Sequence, residues 1–109
     1  MRYSSPDDPA SAPVWENYVV AQAAQAALLL IPTYVQALGV EVAGTRVCLV
    51  VQCPHDAPVA DDEAVEDISD GLSDLLGPQV DVIKRIDFRH HRTLRPDDGV
   101  RWFYAKADG

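Results

Sequence analysis

The sequence predicts a single α+β domain with two layers, in which a four-stranded, mostly antiparallel sheet carries two helices on one face. A chain of 109 residues that is 48% hydrophobic has the size and composition of one globular domain. Its periodic segments follow the order α-β-β-α-β-β, and packing both helices against one face of the sheet is the simplest way to bury their apolar sides. Residues 1–13 are polar and contain three prolines. They are predicted to form a flexible arm, and residues 14–109 the domain.

The first half of the chain predicts a helix followed by a hairpin. Residues 14–31 are rich in alanine and mostly apolar around the cylinder, which indicates a largely buried helix that ends before Pro32. Residues 37–42 alternate between apolar and other side chains, as a strand does. Residues 46–53 form the second strand of the hairpin, and their apolar character on both faces predicts a central position in the sheet.

The second half of the chain again predicts a helix followed by a hairpin. Residues 61–76 begin with three acids, which favour the positive end of a helix dipole, and Gly77 with Pro78 ends the helix. Residues 80–88 predict a third strand, and their imperfect alternation indicates either a bulge or an edge position.

The last predicted strand, residues 100–105, carries three consecutive aromatic residues. Strict alternation places Trp102 and Tyr104 on one side and Phe103 on the other. Exposed aromatics on a sheet face are good anchors for a partner protein or for a second copy of the chain, so Trp102 and Tyr104 are candidate partner-binding residues. The alternative is ordinary burial in the core.

The overall charge restricts the class of partner. The chain has 17 acidic and nine basic residues, and a net charge of −8 at pH 7. Nucleic-acid phosphates are bound by Lys and Arg, so we expect no nucleic-acid partner and favour a basic protein. The longest apolar run is far shorter than the ~20 residues of a membrane span, so we expect no membrane partner.

The cysteines and the N-terminal sequence predict a cytoplasmic location. Cys48 and Cys53 lie five residues apart in one predicted strand and on opposite faces, too distant for a mutual disulfide. The N-terminal residues lack the basic start and apolar run of a secretory leader. Unpaired thiols in such a chain indicate a reducing compartment.

The acids concentrate in one stretch of the chain. Residues 47–83 contain nine acids and no Lys or Arg, whereas residues 84–109 contain seven bases and four acids. Four of the acids are spaced by 4, 3 and 4 residues, which places them on one helix face. They are Glu63, Asp67, Asp70 and Asp74. The opposite face carries an apolar stripe of Val65, Ile68, Leu72, Leu75 and Leu76. With Glu66, the four acids form a candidate docking surface for a basic protein, and the alternative is a solvated face that keeps the protein soluble.

No pattern in the sequence indicates catalysis or a cofactor. Cys53, His55 and Asp56 are potential metal ligands, but Cys48 points away and too few ligands converge for a zinc site. His90 and His91 lie among arginines, which disfavour a charged imidazole, so neither histidine is placed as an acid catalyst. We therefore expect no enzymatic activity, no metal and no cofactor. A concave pocket around these histidines or Cys53 would be needed to support an enzyme.

Several short strings, in this order, resemble small bacterial immunity proteins of contact-dependent-inhibition and related polymorphic toxin systems. They are Leu29-Leu30-Ile31-Pro32, the following strand at residues 35–42, the hairpin strand at residues 46–52, the acidic helix start at residues 61–68, and the aromatic strand at residues 99–104. The resemblance covers roughly residues 17–106 and includes no catalytic signature.

The resemblance implies a cytoplasmic protein that binds and neutralises one cognate toxin domain, without catalysis or a cofactor. Many such toxins are basic nucleases, and an acidic inhibitor can occupy the surface that otherwise binds phosphate. The family assigns no contact residues, because these surfaces diverge among its members. The alternative function is a homodimeric α+β binding or regulatory domain that uses an exposed sheet face.

Overall fold

A computed structural model describes residues 12–58, 63–89 and 99–106. In chain order, the elements are α1 (Ala12–Ala27), β1 (Ala37–Ala43), β2 (Arg46–Cys53), α2 (Ala64–Leu76), β3 (Asp81–Phe88) and β4 (Arg101–Ala105). The predicted α+β class, with two helices and a four-stranded sheet, is confirmed. None of the helices in the described part of the chain is long and apolar enough to cross a membrane.

Helix α1 starts and ends earlier than the sequence predicts. It includes Pro13, since a proline is tolerated in the first turn, where the backbone N–H groups have no partner within the helix. The helix stops at Ala27, and residues 28–30 form a turn in which Leu29 adopts a left-handed φ of 66°. Residues 1–11 of the predicted arm lie outside the described residues, and residues 12 and 13 belong to α1.

Helix α2 is the amphipathic helix that the sequence predicts. Its buried stripe includes Val65, Ile68, Leu72 and Leu76, whereas Leu75, predicted to lie in the stripe, is exposed. Gly77 ends the helix with a φ of 91°, and its backbone N–H donates to the Ser73 carbonyl oxygen at 3.0 Å. A positive φ at this position is available to glycine at little steric cost. The predicted helix start at Asp61 and Asp62 lies outside the described residues.

The sheet is mixed, and this corrects the predicted pairing. The strand order is β3-β2-β1-β4. β1 pairs with β2 and with β4 in antiparallel fashion, but β2 and β3 are parallel. The helix between β2 and β3 returns the chain to the end of the sheet where β2 begins, so β3 runs in the same direction as β2. β3 and β4 therefore occupy opposite edges of the sheet instead of forming a second hairpin.

The edge position of β3 explains its imperfect alternation. Its register against β2 is continuous from Asp81 to Phe88, so no bulge interrupts this pair. The irregularity lies in β4, where Tyr104 pairs with Leu38 but Trp102 pairs with Gly39. Phe103 is the extra residue of a β-bulge between these two pairs.

One hydrophobic core lies between the two helices and one face of the sheet. The inward residues of the central strands, Val47, Leu49 and Val51 of β2 and Leu38 and Val40 of β1, are fully buried in it. β2 is the central strand that its apolar faces predict, buried from Val47 to Cys53. A smaller cluster on the helix-free face contains Cys48, Val50 and Val100, with the Trp102 ring packed against it.

Candidate protein-binding surface

The acids of α2 point away from the core. The buried stripe fixes the rotation of this helix, and the side chains half a turn away are therefore exposed. Glu63, Asp67, Asp70 and Asp74 lie on this outer face, and all four are exposed. We call these four residues the outer row. Their exposure confirms the prediction that these four acids share a helix face opposite the buried stripe.

Two contacts define the sides of α2 on either side of the outer row. On one side, the Lys84 ammonium of β3 forms an ion pair with the Glu66 carboxylate. On the other side, Gly71 faces α1, because a Cβ built on this glycine would lie 3.6 Å from the Ala26 Cβ. Glu66 is thus engaged with the sheet, and this separates it from the four acids with which the sequence grouped it.

No ion pair joins the outer row to any other residue in the described part of the chain. Adjacent members stand three or four residues apart, so their like charges repel by about 0.2–0.5 kcal/mol per pair at low salt. Nothing among the described side chains offsets this repulsion by direct pairing. The row is therefore a fixed patch of negative charge that faces solvent.

The described basic side chains have their contacts elsewhere. Five of the six form ion pairs with acids outside the outer row: Arg46 with Asp81, Lys84 with Glu66, Arg85 with Glu41, Arg89 with Asp87, and Arg101 with Glu16. The sixth, Lys106, donates to the Thr33 carbonyl oxygen at 2.7 Å. The described basic residues from Lys84 onward thus contact Glu66, acids of the sheet and of α1, and a backbone carbonyl, and none of them forms an ion pair with the outer row.

The two aromatic candidates do not share a face, and the prediction that they do is wrong. The bulge at Phe103 shifts the alternation by one residue. Trp102 lies on the helix-free face beside Cys48 and Val50, whereas Tyr104 and Phe103 pack against the core under the helices. Of the two, only Trp102 remains on the sheet face where a partner has access, and it is half-buried there.

The candidate chemical groups among the described residues do not converge into a site. Cys48 and Cys53 are both buried and unpaired, and burial raises the pKa of each thiol. The His55 ring stacks on Phe88, with ring centroids 5.8 Å apart. Within residues 12–58, 63–89 and 99–106, no three His, Cys, Asp or Glu side chains are arranged to hold a metal ion. His90 and His91 lie outside the described residues.

The helix-free face carries a depression at the end of the sheet that holds the β1–β2 turn. Cys48 lies among its lining residues, with Glu41, Arg46, Ile83 and Arg85 around it. Two of its charged side chains pair across it, since an Arg85 guanidinium nitrogen lies 3.3 Å from a Glu41 carboxylate oxygen. Because Cys48 is held as a thiol and the charges are paired, we assign the depression no chemistry.

An exposed apolar turn after α1 was missed by the sequence analysis. The sequence predicts that the helix continues to residue 31, which would place Leu28, Leu29 and Leu30 within it. All three are instead exposed. Pro32 does not mark this end, since a proline commonly follows a helix end by one to three residues and Pro32 lies five residues beyond Ala27.

Comparison of the chain with protein-family models, with curated proteins and with solved structures finds no match.

Proposed function

We propose that the protein is an immunity protein, which binds a cognate toxin domain and neutralises it. The observation that carries this proposal is the outer row of α2, four exposed carboxylates with no described ion-pair partner. Such a surface attracts a basic protein, and complementary charge accelerates association and excludes partners of the wrong sign.

The charge of the row also indicates the kind of toxin. Nucleases bind phosphates with Lys and Arg, so their active surfaces are positively charged. A rigid helix that presents carboxylates can occupy the positions of these phosphates and block access to the substrate. A basic, nuclease-type toxin is therefore the target that the surface suits best. The two buried, unpaired thiols are consistent with action in the reducing cytoplasm.

Two experiments test this function. The first asks whether a large secreted protein with a variable C-terminal domain is encoded beside this gene, and whether that domain, once purified, loses its toxic activity when the protein is added. A neighbour of this kind that is not inhibited, or no such neighbour at all, contradicts the proposal.

The second experiment tests the outer row itself. Glu63→Gln, Asp67→Asn, Asp70→Asn and Asp74→Asn together change the net charge from −8 to −4. We expect association with the toxin domain to slow by about tenfold or more at low salt, and its dependence on salt to flatten. Stopped-flow measurements at several NaCl concentrations give both quantities.

A matched control removes the same charge elsewhere. Glu16→Gln, Glu41→Gln, Asp81→Asn and Asp87→Asn also neutralise four acids, all of which pair with bases outside the row. If association depends on the outer row, the association rate of this control falls much less than that of the outer-row variant. Equal losses would mean that only the net charge matters, and no loss in either variant would remove the row as the docking surface.

The homodimer is the second candidate, and the helix-free sheet face favours it. Ile83 is 45% exposed on this face and pairs in register with Cys48. Cys48 belongs to the small apolar cluster against which the half-buried Trp102 packs. Exposed apolar side chains on a sheet face are suited to self-association. Sedimentation velocity of the protein alone distinguishes the two candidates, because a stable dimer that Ile83→Arg dissociates would favour this function over the inhibitor.

A further inference from the structure

Three consecutive leucines follow α1 and have no place in the core. Leu28 is 61% exposed, Leu29 96% and Leu30 41%. We call residues 28–30 the leucine turn. Single exposed leucines are common on protein surfaces, but a contiguous run of them marks an interaction surface.

The fold itself gains little from leucine at the centre of this turn. Leu29 has a φ of 66°, a conformation that glycine and asparagine adopt at helix ends and that strains other residues. The backbone N–H of Leu30 donates to the Ala27 carbonyl oxygen at 2.9 Å, so the turn is closed by a main-chain bond that asparagine or glycine would make equally well. Leu29 thus has a strained backbone and an almost completely exposed side chain.

The leucine turn lies towards the N-terminal half of α2. α1 begins near the β1–β2 turn, where the Trp15 indole N–H donates to the Gly44 carbonyl oxygen at 2.8 Å. α2 follows the far end of β2 and returns to the start of β3, so the two helices are antiparallel. They meet where Ala26 faces Gly71. The chain beyond Ala26 therefore proceeds towards the N-terminal part of α2, which carries Glu63 and Asp67.

We propose that the leucine turn is an apolar anchor for a basic protein partner, whose complementary surface is an apolar pocket bordered by Lys and Arg. The partner's charge rests on the proposed function, while the apolar pocket is the new element. The neighbouring acids and the net charge of −8 oppose a second copy of the chain at this position. Apolar anchors surrounded by polar contacts typically supply most of the affinity of an interface, and charges mainly supply its association rate.

Two synthetic peptides of equal length and charge provide the probe. One places Leu at positions i, i+3, i+4 and i+7 among Lys residues so that a helix has one apolar side, and the other has Ser in place of each Leu. Fluorescence anisotropy at 50 mM NaCl gives the Kd of each. We expect the unmodified protein to bind the Leu peptide about tenfold more tightly than the Ser peptide, because full burial of one leucine side chain has this effect.

Leu29→Asn should remove most of this difference, while the urea midpoint of unfolding stays the same or rises. Leu29→Gly is the second variant and should behave in the same way. Ile83→Thr is the matched control, an exposed apolar residue on the helix-free side, and should keep the difference. The proposal is overturned if Leu29→Asn keeps the preference for the Leu peptide, or if Ile83→Thr loses as much of it.

The outer-row variant separates this inference from the proposed function. If it loses affinity for both peptides, the electrostatic basis of the proposed function holds, whatever Leu29→Asn does. If it keeps its affinity for the Ser peptide, the acidic surface is not a docking site. The proposal for the leucine turn is then still tested by the difference in Kd between the two peptides. A dimer that Leu29→Asn dissociates in sedimentation velocity would make a second copy the occupant and overturn the proposal of a basic partner.

Discussion

Gly39 and Gly71 form a pair of positions at which the same substitution is expected to have opposite effects. Gly39 lies in β1 at the bulge, and a Cβ added there would be 2.5 Å from the Val100 Cγ1 atom and 2.8 Å from the Trp102 Cε3 atom. Both distances are shorter than real Cβ contacts allow. Neither neighbour has room to retreat easily, because Val100 is branched at Cβ and the Trp102 ring packs against the buried Cys48 cluster.

The magnitude follows from two opposing effects. Overpacking of a well-packed site costs about 1–3 kcal/mol. Replacing glycine by alanine reduces the entropy of the unfolded chain and recovers about 0.4–1 kcal/mol. Gly39→Ala should therefore lower the free energy of unfolding by roughly 1–2 kcal/mol, and with a urea m-value of ~1–3 kcal/mol/M, the midpoint falls by about 1 M.

Gly71→Ala is the matched control in the same protein. A Cβ at this position meets only the Ala26 Cβ, at 3.6 Å, which is an ordinary van der Waals contact. Because Gly71 lies inside α2, alanine should stabilise the protein by up to ~1 kcal/mol. Urea denaturation followed by circular dichroism measures both variants. If Gly39→Ala is as stable as Gly71→Ala, the bulge does not hold Val100 and Trp102 against β1, and the reasoning is refuted.

Two further predictions concern buried thiols and a surface ion pair. Burial raises the pKa of Cys48 and Cys53 above the ordinary value of 9.0. Their contribution to stability is thus complete below pH 9.0 and is lost as the pH rises through the folded-state pKa. Between pH 7 and 11, the urea midpoint of Cys53→Ala should fall less steeply than that of the unmodified protein. Equal dependence on pH in the two proteins would contradict this. The pair between Glu66 and Lys84 is largely exposed, so Glu66→Gln should cost at most about 1 kcal/mol in urea denaturation and nothing measurable in 1 M NaCl. A larger loss of stability at high salt would show that Glu66 stabilises the fold by more than its ion pair with Lys84.

The parts of the fold that local sequence determines were predicted well. The apolar run at residues 47–51 identified the central strand, because only a strand covered on both faces tolerates apolar side chains on both. The spacing of Val65, Ile68 and Leu72 fixed the rotation of α2, and hence the outward direction of the outer row.

The parts that were predicted wrongly depend on contacts between distant segments. Whether β3 returns beside β2 or pairs with β4 is decided by packing of the whole layer, and the periodicity of residues 80–88 is the same in both cases. The bulge at Phe103 is likewise determined by the partner strand, where Gly39 leaves room for Trp102. Strict alternation therefore places Tyr104 on the same face as Trp102, whereas the bulge separates them.

The separation between paired and unpaired charge restricts where a partner can bind. Acids of the sheet and of α1 already have basic neighbours, so a basic partner that approached them would have to displace an existing ion pair, as at Arg101 and Glu16 with a 3.0 Å contact. A partner at the outer row has no described ion pair to break. The leucine turn adds apolar area on the same layer of helices, whereas Trp102, the remaining aromatic candidate, lies on the opposite side of the sheet. One rigid partner domain of ordinary size thus contacts either the helix layer or the Trp102 face, and binding that depends on the outer row should be insensitive to substitutions around Trp102.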